Sequence, residues 1–181
     1  MRYAVIYDSP TGNTRILAEE IRRCMDGQNG NPEECICFGE LGQEKAGAEM
    51  LAAAESEIVF AGFWTDKGDC SEKMAGFLES LHGQRVFLFG TAGFGGAKEY
   101  FRRILERVGT HLAPDNTVTG KYMCQGKMPL AVRKRYESML EQNPEDERMR
   151  AMLENFDQAL VHPDEADLEL LRKSVSSAVD L

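Results

Sequence analysis

Residues 3–14 read Tyr3-Ala4-Val5-Ile6-Tyr7-Asp8-Ser9-Pro10-Thr11-Gly12-Asn13-Thr14. An apolar run gives way to a hydroxyl-rich loop, and a helical pattern follows. That order presents backbone N–H groups to an anion at a helix N-terminus. Ser9, Thr11 and Thr14 supply hydroxyls and Asn13 an amide. Gly12 removes a Cβ where backbone must come close or φ must be positive. No Lys or Arg lies inside the loop, and Arg15 is the first. An anion here would be held by N–H groups, hydroxyls and the helix dipole, mostly without cations. This favours a phosphate monoester over a nucleoside triphosphate. The Walker loop needs Lys followed by Ser or Thr, and the dinucleotide fingerprint needs Gly-x-Gly-x-x-Gly; neither is present. A capped helix start, with Asn13 or Thr11 as N-cap and nothing bound, is the alternative that the loop alone leaves open.

Outward from this loop the chain alternates strand and helix. The first strand covers about residues 2–7, and the first helix runs from Asn13 to Met25 with Leu17, Ile21, Cys24 and Met25 as its apolar stripe. Gly27, Asn29, Gly30, Asn31 and Pro32 form a turn-rich break. A second strand fits 34–38 and a helix 42–54. The third strand, Glu57 to Gly62, is apolar on both faces, as a sheet covered on both sides requires. Phe63 to Asp69 form the loop after it, and Ser71 is placed to cap the next helix. The fourth strand is Arg85 to Gly90, with a glycine-rich loop from Gly90 to Gly96. A helix over 97–108 and a fifth strand over 116–124 complete the alternation. The expectation is an α/β fold: a doubly wound five-stranded parallel sheet in the order 2-1-3-4-5. The loops after strands one, three and four then meet at one carboxyl edge, around the switch point. Residues 130–142, 145–160 and a last segment after His162-Pro163 add C-terminal helices. No linker separates a second domain, so 1–181 is expected to be one domain, with 1–126 the sheet core and 127–181 the added helices.

Composition narrows the function. The chain has 181 residues, 43% hydrophobic and 28% charged, with a net charge of -9. The acidic balance argues against nucleic acid as a partner. No apolar stretch approaches the roughly 18 residues that span a membrane, and the chain opens directly on a strand, so a cytoplasmic protein is expected. The five cysteines include no C-x-x-C pair, which argues against a disulfide framework or a zinc site. None has Arg six positions later, which excludes the Cys-dependent phosphatase loop. No His, Ser or carboxylate set reads as a catalytic triad, and no metal ligand set is expected. Lys121, Lys127, Arg133, Lys134 and Arg135 form a local basic cluster, a solvated face or a contact for an acidic partner.

Ser9-Pro10-Thr11-Gly12-Asn13-Thr14 at the end of a first strand resembles the FMN phosphate loop of flavodoxins, and flavodoxin itself is a standard illustration of the switch-point rule. The resemblance covers about residues 1–126. More narrowly, Gly62 to Gly68, Phe89-Gly90-Thr91 and Cys124 to Met128 resemble a clostridial-type flavodoxin-like subgroup that includes accessory proteins of bilirubin reduction. The resemblance implies a flavodoxin-like fold and FMN as cofactor. It implies that Ser9, Pro10, Thr11, Gly12, Asn13 and Thr14 hold the phosphate. Phe63, Trp64, Thr65, Asp66, Lys67 and Gly68 then line the flavin from the second loop, with Trp64 stacked on the ring or packed on a helix. Thr91, Ala92, Gly93, Phe94 and Gly95 meet its pyrimidine side from the third. Gly68 is the candidate for a peptide that flips toward the flavin on reduction, with a plain turn glycine as the alternative. Many flavodoxins place a Tyr over the ring from the third loop; Phe94 is the only aromatic here, so the residue on the outer face stays open. The implied role is electron transfer to a redox partner, a reductase, with a low potential for the second electron. An NAD(P)H-dependent quinone or flavin reductase on the same fold is the alternative. A phospho-receiver would need Asp ending the third strand and Lys ending the fifth, where Gly62 and Cys124-Gln125 stand.

Overall fold

The computed structural model describes residues 1–29, 34–42, 46–95 and 97–179. The elements alternate as β1 (Tyr3–Tyr7), α1 (Asn13–Asn29), β2 (Cys35–Glu40), α2 (Ala46–Glu55), β3 (Ile58–Trp64), α3 (Glu72–Glu79), β4 (Arg85–Ala92), α4 (Lys98–Gly109) and β5 (Thr117–Gln125). Helices α5 (Leu130–Gln142), α6 (Glu147–Ala159) and α7 (Glu165–Val179) follow. All strand pairs are parallel and the order is β2-β1-β3-β4-β5, as the alternation and right-handed crossovers require.

The sheet splits its core by the period of two. Ala4, Ile6, Val59, Ala61, Phe63, Val86 and Leu88 face Met74, Leu78, Ile104 and Val108 of α3 and α4. Tyr3, Val5, Phe60, Phe87 and Phe89 face Leu17 and Ile21 of α1 and Leu171 and Val175 of α7. Both faces are dry, which is why the central strands are apolar throughout. Burying each large side chain contributes about 1.5–3 kcal/mol. The flanking strand β2 is only half-buried, and β5 is exposed in its first half and buried from Tyr122 to Gln125.

Two central strands run two residues past their expected ends. β3 continues through Phe63 and Trp64, and β4 through Thr91 and Ala92, because Phe63 pairs with Gly90 and Trp64 with Thr91. The glycines permit this. A Cβ on Gly62 would lie 2.3 Å from the Phe89 ring, and one on Gly90 would lie 2.6 Å from the Phe63 ring. Each ring crosses the neighbouring strand where only a hydrogen stands in its way. Helix α1 also outruns its expected end and takes in Gly27 and Asn29. The remainder of the predicted break, Gly30, Asn31 and Pro32, lies outside the described residues, as do 43–45 of the predicted second helix and Gly96.

The C-terminal helices are as expected in number, with starts set by capping. Asp146 Oδ1 accepts from the Arg148 and Met149 N–H groups, so α6 begins at Glu147 rather than at 145. Asp164 and Asp167 exchange side chain-to-backbone bonds, both 2.9 Å, at the start of α7. Helix α7 packs on α1 and β5, while α5 and α6 pair with each other beside the carboxyl edge.

Candidate functional site

The first loop is fixed from below by Asp8, the last side chain before it. Asp8 Oδ2 accepts from Trp64 Nε1 at 2.9 Å and from Ser71 Oγ at 2.6 Å, and Oδ1 pairs with Lys73 Nζ at 2.8 Å. Burial alone would raise the Asp8 pKa; the bonds from Lys73, Ser71 and Trp64 outweigh it and hold the carboxyl below its ordinary value. Asp8 escaped the sequence reading because its partners lie more than 50 positions away. Through it, the β1 end, the only tryptophan and the start of α3 form one unit.

Within the loop, Ser9 Oγ accepts the Arg15 N–H at 3.0 Å, so Ser9 does the capping expected of Thr11 or Asn13. The Ser9 N–H donates to Glu40 Oε1 at 3.2 Å. Gly12 takes φ +83°, which an L side chain resists. Asn13 Nδ2 donates to Thr11 Oγ1 at 3.0 Å and to the Lys127 carbonyl at 2.8 Å, joining this loop to the segment after β5. Thr14 is buried; its hydroxyl lies 3.2 Å from the Phe63 carbonyl and 3.0 Å from Thr91 Oγ1. The backbone N–H groups of Thr11, Asn13 and Thr14 have no acceptor among the described residues. Three donors at a helix N-terminus, at the end of β1, are an anion cradle.

The second segment divides its residues. The Phe63 ring is fully buried under Gly90 and faces α3 and α4, so it is core and presents only its carbonyl to the site. Trp64 is half-buried at the carboxyl edge with its ring nitrogen pinned by Asp8. Thr65 donates from both N and Oγ1 to the Thr91 carbonyl, at 3.0 and 2.9 Å. Asp66 to Asp69 make a tight turn, with Lys67 at φ +49° and Gly68 at φ +85°, closed by reciprocal bonds of 2.8 and 2.9 Å. That geometry opposes the flip expected of Gly68. Turning the Lys67–Gly68 peptide would put Lys67 where a type II′ turn takes glycine. Turning the Gly68–Asp69 peptide would break the Asp69 N–H bond to Asp66.

The third loop is held from far along the chain. The Gly93 carbonyl accepts from Gln125 Nε2 at 3.0 Å and Asn155 Nδ2 at 3.1 Å, and Gln125 Nε2 also lies 3.1 Å from Asn155 Oδ1. The Met128 side chain packs on Gly93. With its carbonyl drawn toward β5 and α6, the Gly93–Phe94 peptide turns its N–H the other way, since a trans peptide sets the two antiparallel. Thr91 and Ala92 are buried strand residues, and Phe94 is 38% exposed. Gln125 and Asn155 were not expected site residues, and a lone Gln and a mid-helix Asn carry no local signal.

The histidines all have carboxylate neighbours: His82 with Asp115, His111 with Asp69 and Glu79, and His162 with Asp167. Asp69, Cys70 and His111 bring ligand atoms together. Arg107 already supplies the positive charge to Asp69 at 2.8 Å, and burial pushes the Cys70 thiol up to about 12, so the group is an ion-pair network. A trough of about 560 Å³ lies away from the three loops, beside β5 between α4 and α7. No described helix is long and apolar enough to cross a membrane.

An anion cradle, a pinned indole and a backbone-lined third loop thus meet at the carboxyl edge of a 2-1-3-4-5 sheet. Residues 4–176 match the flavodoxin domain, and the chain belongs to the flavodoxin family. It is 39% identical to the flavodoxin-like domain-containing protein BilS of Clostridium symbiosum, over 99% of this chain and 96% of that one. It is 31% identical to the protein of the same description from Clostridioides difficile, over 93% and 90%. A short-chain flavodoxin associated with a non-canonical PDU bacterial microcompartment shares the fold, with TM-score 0.58, 16% identity and coverage of 99% and 98%. FMN is the cofactor that this family membership implies.

Proposed function

We propose that this chain is an FMN-binding electron-transfer protein, a single flavodoxin-like domain that supplies electrons to a separate reductase. The observation that carries the reading is the trio of N–H groups on Thr11, Asn13 and Thr14 that have no acceptor among the described residues, at the same sheet edge as the half-buried Trp64. These donors suit a phosphate monoester and need no cation. Ser9 to Thr14 hold the phosphate, with Ser9 and Gly12 shaping the loop and Asn13 locking it to Lys127. Trp64, Thr65 and the turn from Asp66 to Gly68 flank one side of the ring system, and Thr91 to Gly95 the other, Phe63 contributing backbone alone. FMN supplies the one- and two-electron chemistry, and the protein positions it and sets its electrostatics. A phosphate dianion without a cation in its loop, in a chain of net charge -9, disfavours a further negative charge on the reduced ring. The potential for the second electron is therefore expected to fall below that of free FMN.

The resemblance of Gly62 to Gly68, Phe89-Gly90-Thr91 and Cys124 to Met128 to accessory proteins of bilirubin reduction makes bilirubin reduction the candidate destination for the electrons, in the cytoplasm. The test is an absorbance titration with FMN, followed by slow anaerobic reduction. Saturable uptake with stepwise reduction supports the carrier. Rapid direct reduction by NAD(P)H, with steady turnover of a quinone, replaces it with the reductase reading. No uptake of FMN removes both.

A further inference from the structure

Helix α5 buries none of its side chains fully. Val132, Arg133, Tyr136, Glu137 and Leu140 are half-buried on the side toward α6, its main packing partner. The opposite face shows Leu130, Ala131, Lys134, Arg135, Ser138 and Met139. Leu130 is 67% exposed and Met139 40%, and of the two carboxylates of α5 only Glu141, at its C-terminal end, is exposed on this face. Arg133 is occupied by Glu137 and Asp157, whereas Lys127, Lys134 and Arg135 have no ion pair among the described residues. In a chain with 30 Asp and Glu against 21 Lys and Arg, three cations without an ion pair among the described residues, against the one exposed carboxylate of α5, are a local inversion of charge.

The inversion sits beside the proposed cofactor. Lys127 is bonded through its carbonyl to Asn13 of the first loop, and Met128 packs on Gly93 of the third. The segment that launches α5 thus adjoins two of the three loops.

We propose that the outer face of α5, continued by Lys127, is the docking surface for an electron-transfer protein that presents carboxylates flanked by apolar groups. The proposal rests on the electron-transfer reading and names the partner's chemistry. Lys134 and Arg135 stand between Leu130 and Met139 on this face, so the cations steer the encounter and the apolar groups at its two borders add contact once the partner is seated. The inversion also explains how a chain of net charge -9 can receive an acidic partner: the local field at the docking face opposes the global one.

The sign of the salt effect tests this. The FMN-loaded full chain is reduced with dithionite and mixed anaerobically with oxidised rubredoxin, a small acidic iron protein. One electron passes to the ferric centre, whose colour bleaches. Two negatively charged proteins that meet at random react faster as salt screens them; docking through a basic face makes the reaction slower. The expected result is a rate that falls between about 20 and about 200 mM salt, where the Debye length shortens severalfold. The double variant Lys134→Glu with Arg135→Glu should lower the low-salt rate about tenfold and reverse the salt effect. Oxidation by menadione, a small neutral quinone, should not change. Leu130→Asp should slow the rubredoxin reaction at every salt concentration. A wild-type rate that rises with salt, or a double variant that matches the wild type, overturns the docking surface. A chain that takes up no FMN overturns the electron-transfer reading and this surface together, whereas a yellow protein with the wrong salt sign overturns the surface alone.

Discussion

The first and third loops border the same site and are built in opposite ways. The first is shaped largely by neighbours in sequence: Ser9 caps Arg15, Gly12 makes the bend, and Asn13 reaches back to Thr11. The third has almost no local support among the described residues. Its Gly93 carbonyl is held by Gln125 and Asn155, 32 and 62 positions on, and Met128 packs against it. A loop shaped by local capping carries its signature in its own residues. A loop shaped by tertiary contacts appears only as a run of glycines, which report that backbone is needed but not what holds it.

The largest effect should come from the carboxylate under the first loop. Asp8→Ala leaves Trp64 Nε1, Ser71 Oγ and Lys73 without their acceptor and should cost about 3 kcal/mol, read as a urea midpoint. Asp8 also gives a pH signature. Its folded pKa lies below the ordinary value, so it stabilises the fold above about pH 4, and that contribution disappears as pH falls through the folded pKa. Wild-type stability should decline in that acid window more steeply than that of the variant.

Thr14→Val tests the join between the two loops. It removes the hydroxyl shared with the Phe63 carbonyl and Thr91 in a buried setting, at a cost of about 1–3 kcal/mol in thermal or urea unfolding. Gly12→Ala perturbs the first loop alone. A Cβ there meets nothing within 4 Å, so the cost is the φ of +83°, about 1–2 kcal/mol. An FMN titration should show a roughly tenfold weaker complex if that strain is relieved by reshaping the loop.

Asn155→Ala sharpens the comparison from the other side. The Gly93 carbonyl keeps Gln125, so stability should fall by only about 1 kcal/mol. The third loop should nevertheless loosen, with a severalfold weaker FMN complex in the same titration. An unchanged FMN affinity would show that Gln125 alone positions the loop.

The alternation of apolar runs and amphipathic stripes determined the parallel sheet and its order, because a doubly covered sheet with right-handed crossovers leaves few arrangements. Ser9 to Thr14 determined the anion cradle, because capping and a positive φ are decided within a few residues. Tertiary structure decided the rest. It extended β3 and β4 by pairing Phe63 with Gly90, which moved one expected cofactor aromatic into the core and left Trp64 at the edge. It also gathered Asp8 with Lys73, and Gly93 with Asn155, and it turned the cations of α5 outward beside the site. Such pairs form only when the sheet brings distant strand ends together, and side chains that meet only across the fold leave no pattern in either of the segments that carry them.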